Sequence, residues 1–372
     1  MRIGIDLLSS SRDSEIVGAY CQRILQGLQV ELSDRDGDHQ VLVFTPHDYS
    51  WPLDGDPANR IRQIKAPAPR GVWSSLRRPP LGELIANHPI DVLHVLDARI
   101  ACPTNVPRVV TLHHSKPGFG PGWLPSPRGV RRALRSARRV VTLSSATRDA
   151  VLRNIRGLEE SRVSVIHEGP DPACRDARDP TAEERIRQKY SLPPHFVLSV
   201  LMTERRSSLR TIARIAQELE SRRSDSTVPW VLMSLAQGGV RGWKRLFKRR
   251  GLKSIVTVPG LHSSDLPHLL KMTSAFVYPD EGGLGFPILG ALASGTPVIT
   301  SESLSPSELV GKAAIRVDMK NASRVRECLE RVLRNRTVQD LLRMRGPVRA
   351  QDFSWEIAAR KMLTVYEEAL EI

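Results

Sequence analysis

The residues of this sequence that could do chemistry are first of all cations, and the chemistry they offer is the binding of anions. Arg128, Arg131, Arg132, Arg135, Arg138 and Arg139 fall at i, i+3, i+4 and i+7 within a helix-like stretch, 128–139. Side chains at that spacing share one face of a helix. A second set, Lys244, Arg245, Lys248, Arg249, Arg250 and Lys253, recurs at roughly helical spacing. Each set reads either as a solvated helix face or as a surface for an anionic membrane, where one basic residue contributes about 1 kcal/mol. Nucleic acid is the weakest partner, because aromatic residues make up only 5% of the chain and base stacking needs them. The four cysteines, Cys21, Cys102, Cys174 and Cys328, lie far apart with no C-x-x-C pair and no histidine at metal-ligand spacing. They are expected to be ordinary thiols of a reducing compartment rather than a disulfide or metal framework.

The elements that must position these residues follow from length and pattern. The chain has 372 residues, 40% hydrophobic and 26% charged, with a formal charge of +15. That is enough for two domains of about 150–200 residues each, and the charge favours an anionic partner. No stretch reaches the roughly 18 apolar residues of a membrane span. The opening Met1-Arg2-Ile3-Gly4-Ile5-Asp6 enters a strand-like run without a signal-peptide pattern, so a cytoplasmic protein is expected. Apolar, β-branched runs at 41–44, 92–95, 109–112, 140–143 and 163–166 read as short buried strands. So do the runs at 196–201, 230–233, 255–258, 275–278 and 298–300. Amphipathic segments at 17–32, 128–138, 207–221, 264–272 and 322–334 alternate with them. Strands alternating with helices imply parallel sheets covered on both faces, and ten strands imply two α/β domains. The Pro- and charge-rich stretch 176–194 is the expected connection, and the cleft between the domains the expected active site. Residues 52–80, rich in Pro and Arg, read as a long surface loop. Charge is uneven: residues 1–98 hold 10 Lys/Arg against 13 Asp/Glu, whereas 205–253 hold 13 against 3.

The order of motifs resembles the family 4 glycosyltransferases of the GT-B fold over nearly the whole chain. Ile3-Gly4-Ile5-Asp6 followed by Val17-Gly18-Ala-Tyr20 is similar to the family's first strand, glycine turn and first helix. Val109-Val-Thr-Leu-His113 matches a strand ending in a histidine, and Val140-Val-Thr-Leu-Ser144 the strand after it. Val165-Ile-His-Glu-Gly-Pro-Asp171 stands where the family has Val-x-x-Asn-Gly-Val-Asp. Gly260-Leu-His-Ser-Ser-Asp-Leu-Pro267, Ala275-Phe-Val-Tyr-Pro279, Gly285-Phe-Pro-Ile-Leu289 and Ala293-Ser-Gly-Thr-Pro-Val-Ile-Thr-Ser301 follow in the family's order, and Phe353-Ser-Trp-Glu356 resembles its final helix.

The resemblance implies an α/β protein of two Rossmann-like, doubly wound domains. Residues 1–178 would form the acceptor-side domain, 179–350 the nucleotide-sugar donor domain, and 351–372 a helix returning to the first. It further implies a retaining transfer of a mannose-like hexose from a nucleotide sugar to a saccharide or polyprenol-linked acceptor, in surface polysaccharide or glycolipid synthesis. The inner face of the cytoplasmic membrane would be the place of work, reached through the 128–139 arginines. A diphosphate needs cations and backbone N–H donors at helix starts, so no metal or other cofactor is implied. Carried over by position, His113 would contact the donor sugar near the reacting carbon. Gly18 and Gly285 would allow the backbone close to the donor, and Arg206, helped by Arg205, would hold the diphosphate. The match is broken at several places in one pocket. Ser207 replaces the lysine of an Arg-Lys pair, Leu201 replaces a loop glycine, and Gly282 and Gly290 stand where the family has two glutamates, leaving Glu281 as a reserve contact. A missing ribose-binding carboxylate costs a few kcal/mol of donor binding. That erosion opens a second expectation, a pseudo-glycosyltransferase acting as scaffold or partner subunit of an active transferase.

Overall fold

The β-branched runs pair edge to edge in parallel, and the amphipathic segments cross over between them, in two units. The computed structural model describes residues 1–8, 15–33, 38–47, 60–67, 81–96, 105–113, 127–201, 206–221, 228–234, 240–258, 260–279 and 285–371. One compact unit is Met1–His167 together with Trp355–Ile372, the other Glu168–Ser354.

In the first unit the elements run β1 (Arg2–Asp6), α1 (Glu15–Ser33), β2 (Gln40–Thr45), β3 (Ile61–Lys65), α2 (Leu81–Asn87), β4 (Val92–Val95), β5 (Arg108–Leu112), α3 (Pro127–Ser136), β6 (Arg139–Thr142), α4 (Ser145–Asn154) and β7 (Val163–Val165), with α13 (Trp355–Leu370) added from the far end of the chain. The sheet is parallel in the order β3-β2-β1-β4-β5-β6-β7. Ile3, Ile5, Val41, Val92, Val109 and Val140 are fully buried, as strands covered on both faces require. Gly27 is where α13 meets α1: a Cβ there would lie 2.3 Å from the Trp355 carbonyl oxygen, so only glycine admits the close approach. Arg360 then pairs with the buried Glu31 at 2.7 Å across the same two helices. Beneath them His94 is fully buried, with Nδ1 2.7 Å from Tyr366 Oη and Nε2 2.7 Å from Thr111 Oγ1. Burial first, and the nearby His113 second, push its pKa down to about 3, so the ring is neutral. Thr111→Val would strand one ring nitrogen. The expected result is a loss of about 2 kcal/mol in chemical denaturation, and an unchanged midpoint would show that this bond carries no stability.

In the second unit the order is α5 (Pro180–Tyr190), β8 (Val197–Leu201), α6 (Arg206–Ser221), β9 (Trp230–Ser234), α7 (Val240–Arg249), β10 (Ile255–Val258), α8 (Leu266–Met272), β11 (Ala275–Tyr278), α9 (Phe286–Ala293), β12 (Val298–Ser301), α10 (Leu304–Val310), β13 (Ile315–Val317), α11 (Ala322–Arg334) and α12 (Arg336–Ala350). Its parallel sheet has the order β10-β9-β8-β11-β12-β13. Both sheets therefore reverse their winding once, between β1 and β4 and between β8 and β11, as doubly wound folds do.

Three expectations change. The stretch 52–80 contains β3, an edge strand with exposed Arg62 and Lys65; an edge strand buries one side poorly and tolerates charge, which hides it from an apolar-run search. Residues 168–178, counted above with the first domain, pack in the second unit: Arg175 Nη2 donates to the Ala350 and Phe353 carbonyls at 3.2 Å each. Finally, the 128–139 arginines are not one helical stripe. α3 ends at Ser136, the Arg138 N–H donates to the Arg108 carbonyl at 2.8 Å to begin the strand ladder, and Arg139 opens β6.

Candidate active site

In open α/β sheets, ligands bind beyond the carboxyl ends of the strands at the point where the winding reverses. In the first unit that point lies at the ends of β1 and β4. Asp6 ends β1 almost completely buried, with Oδ1 accepting from the Leu8 N–H at 2.9 Å. His113 follows β5, and its Nε2 lies 2.9 Å from the Leu96 carbonyl just past β4. A carbonyl only accepts, so Nε2 carries a proton. Tyr20 of α1 meets the imidazole edge-on, with ring centroids 4.7 Å apart, and Trp355 packs against Tyr20 in turn at 5.6 Å. The ring of His113 is thus set from two sides, by the Leu96 carbonyl and by Tyr20. Gly18 sits in the first turns of α1, and a Cβ there would meet no described atom within 4 Å. Among the described residues, packing does not demand a glycine here.

In the second unit the reversal lies between β8 and β11. Arg206 begins α6 after β8, placed by the backbone at this point; its side chain and that of Ser207 lie outside the described residues, as do Arg205 and Glu281 entirely. Gly285 caps α9 after β11 and is buried against Leu309, whose Cδ1 would lie 2.4 Å from an added Cβ. The group facing this helix start had no role in the sequence reading. Glu168 is 3% exposed, and its Oε2 accepts from the Gly285 N–H at 2.8 Å, with the Phe286 N–H a second donor. Burial raises its pKa to about 7, against the pull of the two N–H groups, so the carboxyl changes charge near neutrality. The available signal was an acidic residue in Val165-Ile-His-Glu-Gly-Pro-Asp171 where the related pattern has asparagine.

Gly290 is as closed as Glu168 is distinctive. It is buried in α9, and an added Cβ would stand 3.0 Å from Leu270 Cδ1 and 3.2 Å from Cys174 Sγ. The turn that brings Cys174 there is capped by Asp171, whose Oδ1 accepts from the Ala173 N–H at 3.0 Å, and held by Lys271 Nζ on the Ala173 carbonyl at 2.7 Å. At the position that the resemblance gives to a ribose-binding glutamate, a side chain would begin against a thiol and a leucine.

Of the six arginines near α3, Arg131, Arg132, Arg135 and Arg138 are exposed, and the side chain of Arg128 lies outside the described residues. Arg135 Nε donates to the Arg156 carbonyl at 3.0 Å. Arg139 is turned toward the Ser161 carbonyl and lies 3.4 Å from Glu368. Among the described residues there is no group of three His, Cys, Asp or Glu placed to hold a metal ion, and Cys21, Cys174 and Cys328 are free thiols. No described helix is long and apolar enough to cross a membrane.

Two parallel sheets, each reversing its winding once, have the architecture of the GT-B fold. The pattern of Glycosyltransferase Family 4 matches residues 30–174, and that of Glycosyl transferases group 1 matches residues 197–335. The chain belongs to the family 4 glycosyltransferases. It is 26% identical over 283 residues to the O-antigen chain mannosyltransferase B of Escherichia coli, covering 71% of each chain. Among solved structures it is similar to Anabaena HepE in complex with UDP and glucose, with a TM-score of 0.71, 16% identity and 99% of each chain covered. A glycosyltransferase from Rickettsia africae gives a TM-score of 0.70 at 15% identity, covering 100% of this chain and 98% of that one.

Proposed function

We propose that the protein transfers mannose, or a hexose of similar shape, from a nucleotide sugar to a saccharide or lipid-linked acceptor, with retention of configuration, in the synthesis of a surface polysaccharide or glycolipid. The observation that carries this reading is His113. Its imidazole is held at the carboxyl end of the sheet by the Leu96 carbonyl and by Tyr20, the fixed orientation that a group positioning a sugar hydroxyl requires. The mannosyltransferase relative supports the choice of sugar. Arg206 begins α6, where the free N–H groups of a helix start favour a diphosphate, and this position supports its role in holding the donor. The exposed arginines of α3 support adsorption to the anionic inner face of the cytoplasmic membrane.

The test is calorimetric titration with GDP-mannose and UDP-glucose, followed by single-turnover transfer. The expected outcome is saturable binding that weakens in Arg206→Ala. His113→Ala should keep the binding but lose roughly a hundredfold in rate, as misplaced reacting groups do. One observation favours a second reading, a partner subunit without its own turnover: the ribose position at Gly290 is closed by Cys174 and Leu270. No binding of either nucleotide sugar at millimolar concentration would decide for that second reading.

A further inference from the structure

The second cationic cluster has no part in the site described above. Residues 226–264 contain seven Lys and Arg and no Asp or Glu. Six of these seven cations have described side chains, and all six are exposed on the second unit. α7 buries Trp243 and Phe247 in the core, which places Lys244, Arg245, Lys248 and Arg249 on its exposed side; Arg250 and Lys253 follow, also exposed. Arg250 Nη1 donates to Gln217 Oε1 at 3.1 Å, joining this end of α7 to α6. There, exposed Arg210 and Arg214 continue the line through Gln217 at i, i+4 and i+7. Among the described residues, none of Arg210, Arg214, Lys244, Arg245, Lys248 and Arg249 lies within 4.0 Å of a carboxylate. The nearby acids are engaged elsewhere. Glu220 accepts the backbone N–H groups of Lys253 and Ser254 at 2.7 and 2.6 Å, and Glu218 lies 3.6 Å from Arg326. A helix face kept only for solubility intersperses both signs; among the described residues this one is mostly cationic over two helices, with Glu218 and Glu220 at its edge already bonded elsewhere.

We propose that this face of α6 and α7 is an adsorption surface for an anionic lipid bilayer. It extends the membrane reading made for α3, and it stands or falls separately from that one. The occupant is a lipid surface rather than a nucleic acid, because the aromatic rings of the segment, Trp230, Trp243 and Phe247, are at most 3% exposed and offer bases nothing to stack on. Among the described side chains, the exposed side of α7 carries charge without apolar residues that could enter the acyl region. Binding is therefore electrostatic adsorption, reversible by salt, and not insertion.

The experiment is co-sedimentation of the full chain with vesicles of phosphatidylcholine alone or mixed with phosphatidylglycerol, at rising sodium chloride. The expected result is binding to the mixed vesicles only, with release by ~0.5 M salt, where the Debye length falls below a side chain's reach. Each neutralised cation lowers partitioning about fivefold, so Lys244→Glu with Lys248→Glu lowers it at least about twentyfold. The milder pair Lys244→Gln with Lys248→Gln lowers it in part, with the thermal midpoint of either pair unchanged. Arg131→Glu with Arg132→Glu, made separately, reads the α3 surface alone. Unchanged partitioning of the α7 pair overturns the proposal. So does retention on vesicles at high salt, or tighter binding of a DNA or RNA duplex than of mixed vesicles with that binding lost in the α7 pair. Failure of sugar transfer by the unaltered protein would count against the function proposed above and leave the vesicle result standing.

Discussion

Gly290→Glu, the substitution that restores the family's glutamate, is expected to destabilise the protein by about 4 kcal/mol or more rather than to improve donor binding. Two costs add. A Cβ at this position meets Leu270 Cδ1 at 3.0 Å and Cys174 Sγ at 3.2 Å, so even alanine forces a shift in a packed region; overpacking of this kind costs about 1–3 kcal/mol. A carboxylate held in that buried helix without a partner then costs several kcal/mol more or is held protonated. Gly290→Ala separates the two terms. The measurement is urea denaturation of the three proteins with nucleotide titration beside it. A Gly290→Glu protein as stable as its parent, with tighter nucleotide binding, would mean that Cys174 and Leu270 yield to the side chain and that the pocket is built for a glutamate.

The second large effect concerns Glu168 and pH. Its carboxyl titrates near 4.5 in an unfolded chain and at about 7 in the folded one. Between those values the folded protein holds a proton that the unfolded chain has lost, so stability falls as pH rises through the window. The contribution is fully present below about pH 4.5 and gone above about pH 7. A shift of this size is worth on the order of 3 kcal/mol at about 1.4 kcal/mol per unit. Glu168→Gln removes the titration but keeps an oxygen for the Gly285 N–H. The stability of the parent minus that of the variant should therefore drop by this amount between pH 4.5 and 8, since all other groups titrate alike in both. Parallel curves would show that Glu168 is ionised throughout, with the N–H groups of Gly285 and Phe286 outweighing burial.

Glu168 also shows why part of the site escaped the sequence. Its partner at Gly285 is 117 residues away, and the chain near it carries only the motif Val165-Ile-His-Glu-Gly-Pro-Asp171. Local pattern sets what a residue can do, whereas burial and partners set what it does. The same holds for Gly290, which reads as a lost glutamate in the motif and is, in the fold, a position where a Cβ would press on Leu270 and Cys174. His113 was legible because a histidine at the end of an apolar run falls by necessity at the carboxyl edge of the sheet. Its fixing by Leu96 and Tyr20 was not, because neither is its neighbour in sequence.

What this sequence determined by itself is the alternation of strands and helices, and with it two parallel sheets, because buried strands and amphipathic crossovers have periods that can be read residue by residue. The order of motifs added the family, and the spacing of Lys244, Arg245, Lys248 and Arg249 already marked a charged helix face. Tertiary structure decided the rest. It broke the 128–139 arginines at Ser136, since the backbone N–H of Arg138 completes a sheet rather than a helix. It drew residues 168–178 into the second unit through Arg175, closed Gly290 with Cys174, and raised the Glu168 carboxyl by taking it out of water. Each of these depends on which distant groups exclude solvent or supply a hydrogen bond, and that is a property of the packed chain, which no local run of residues contains.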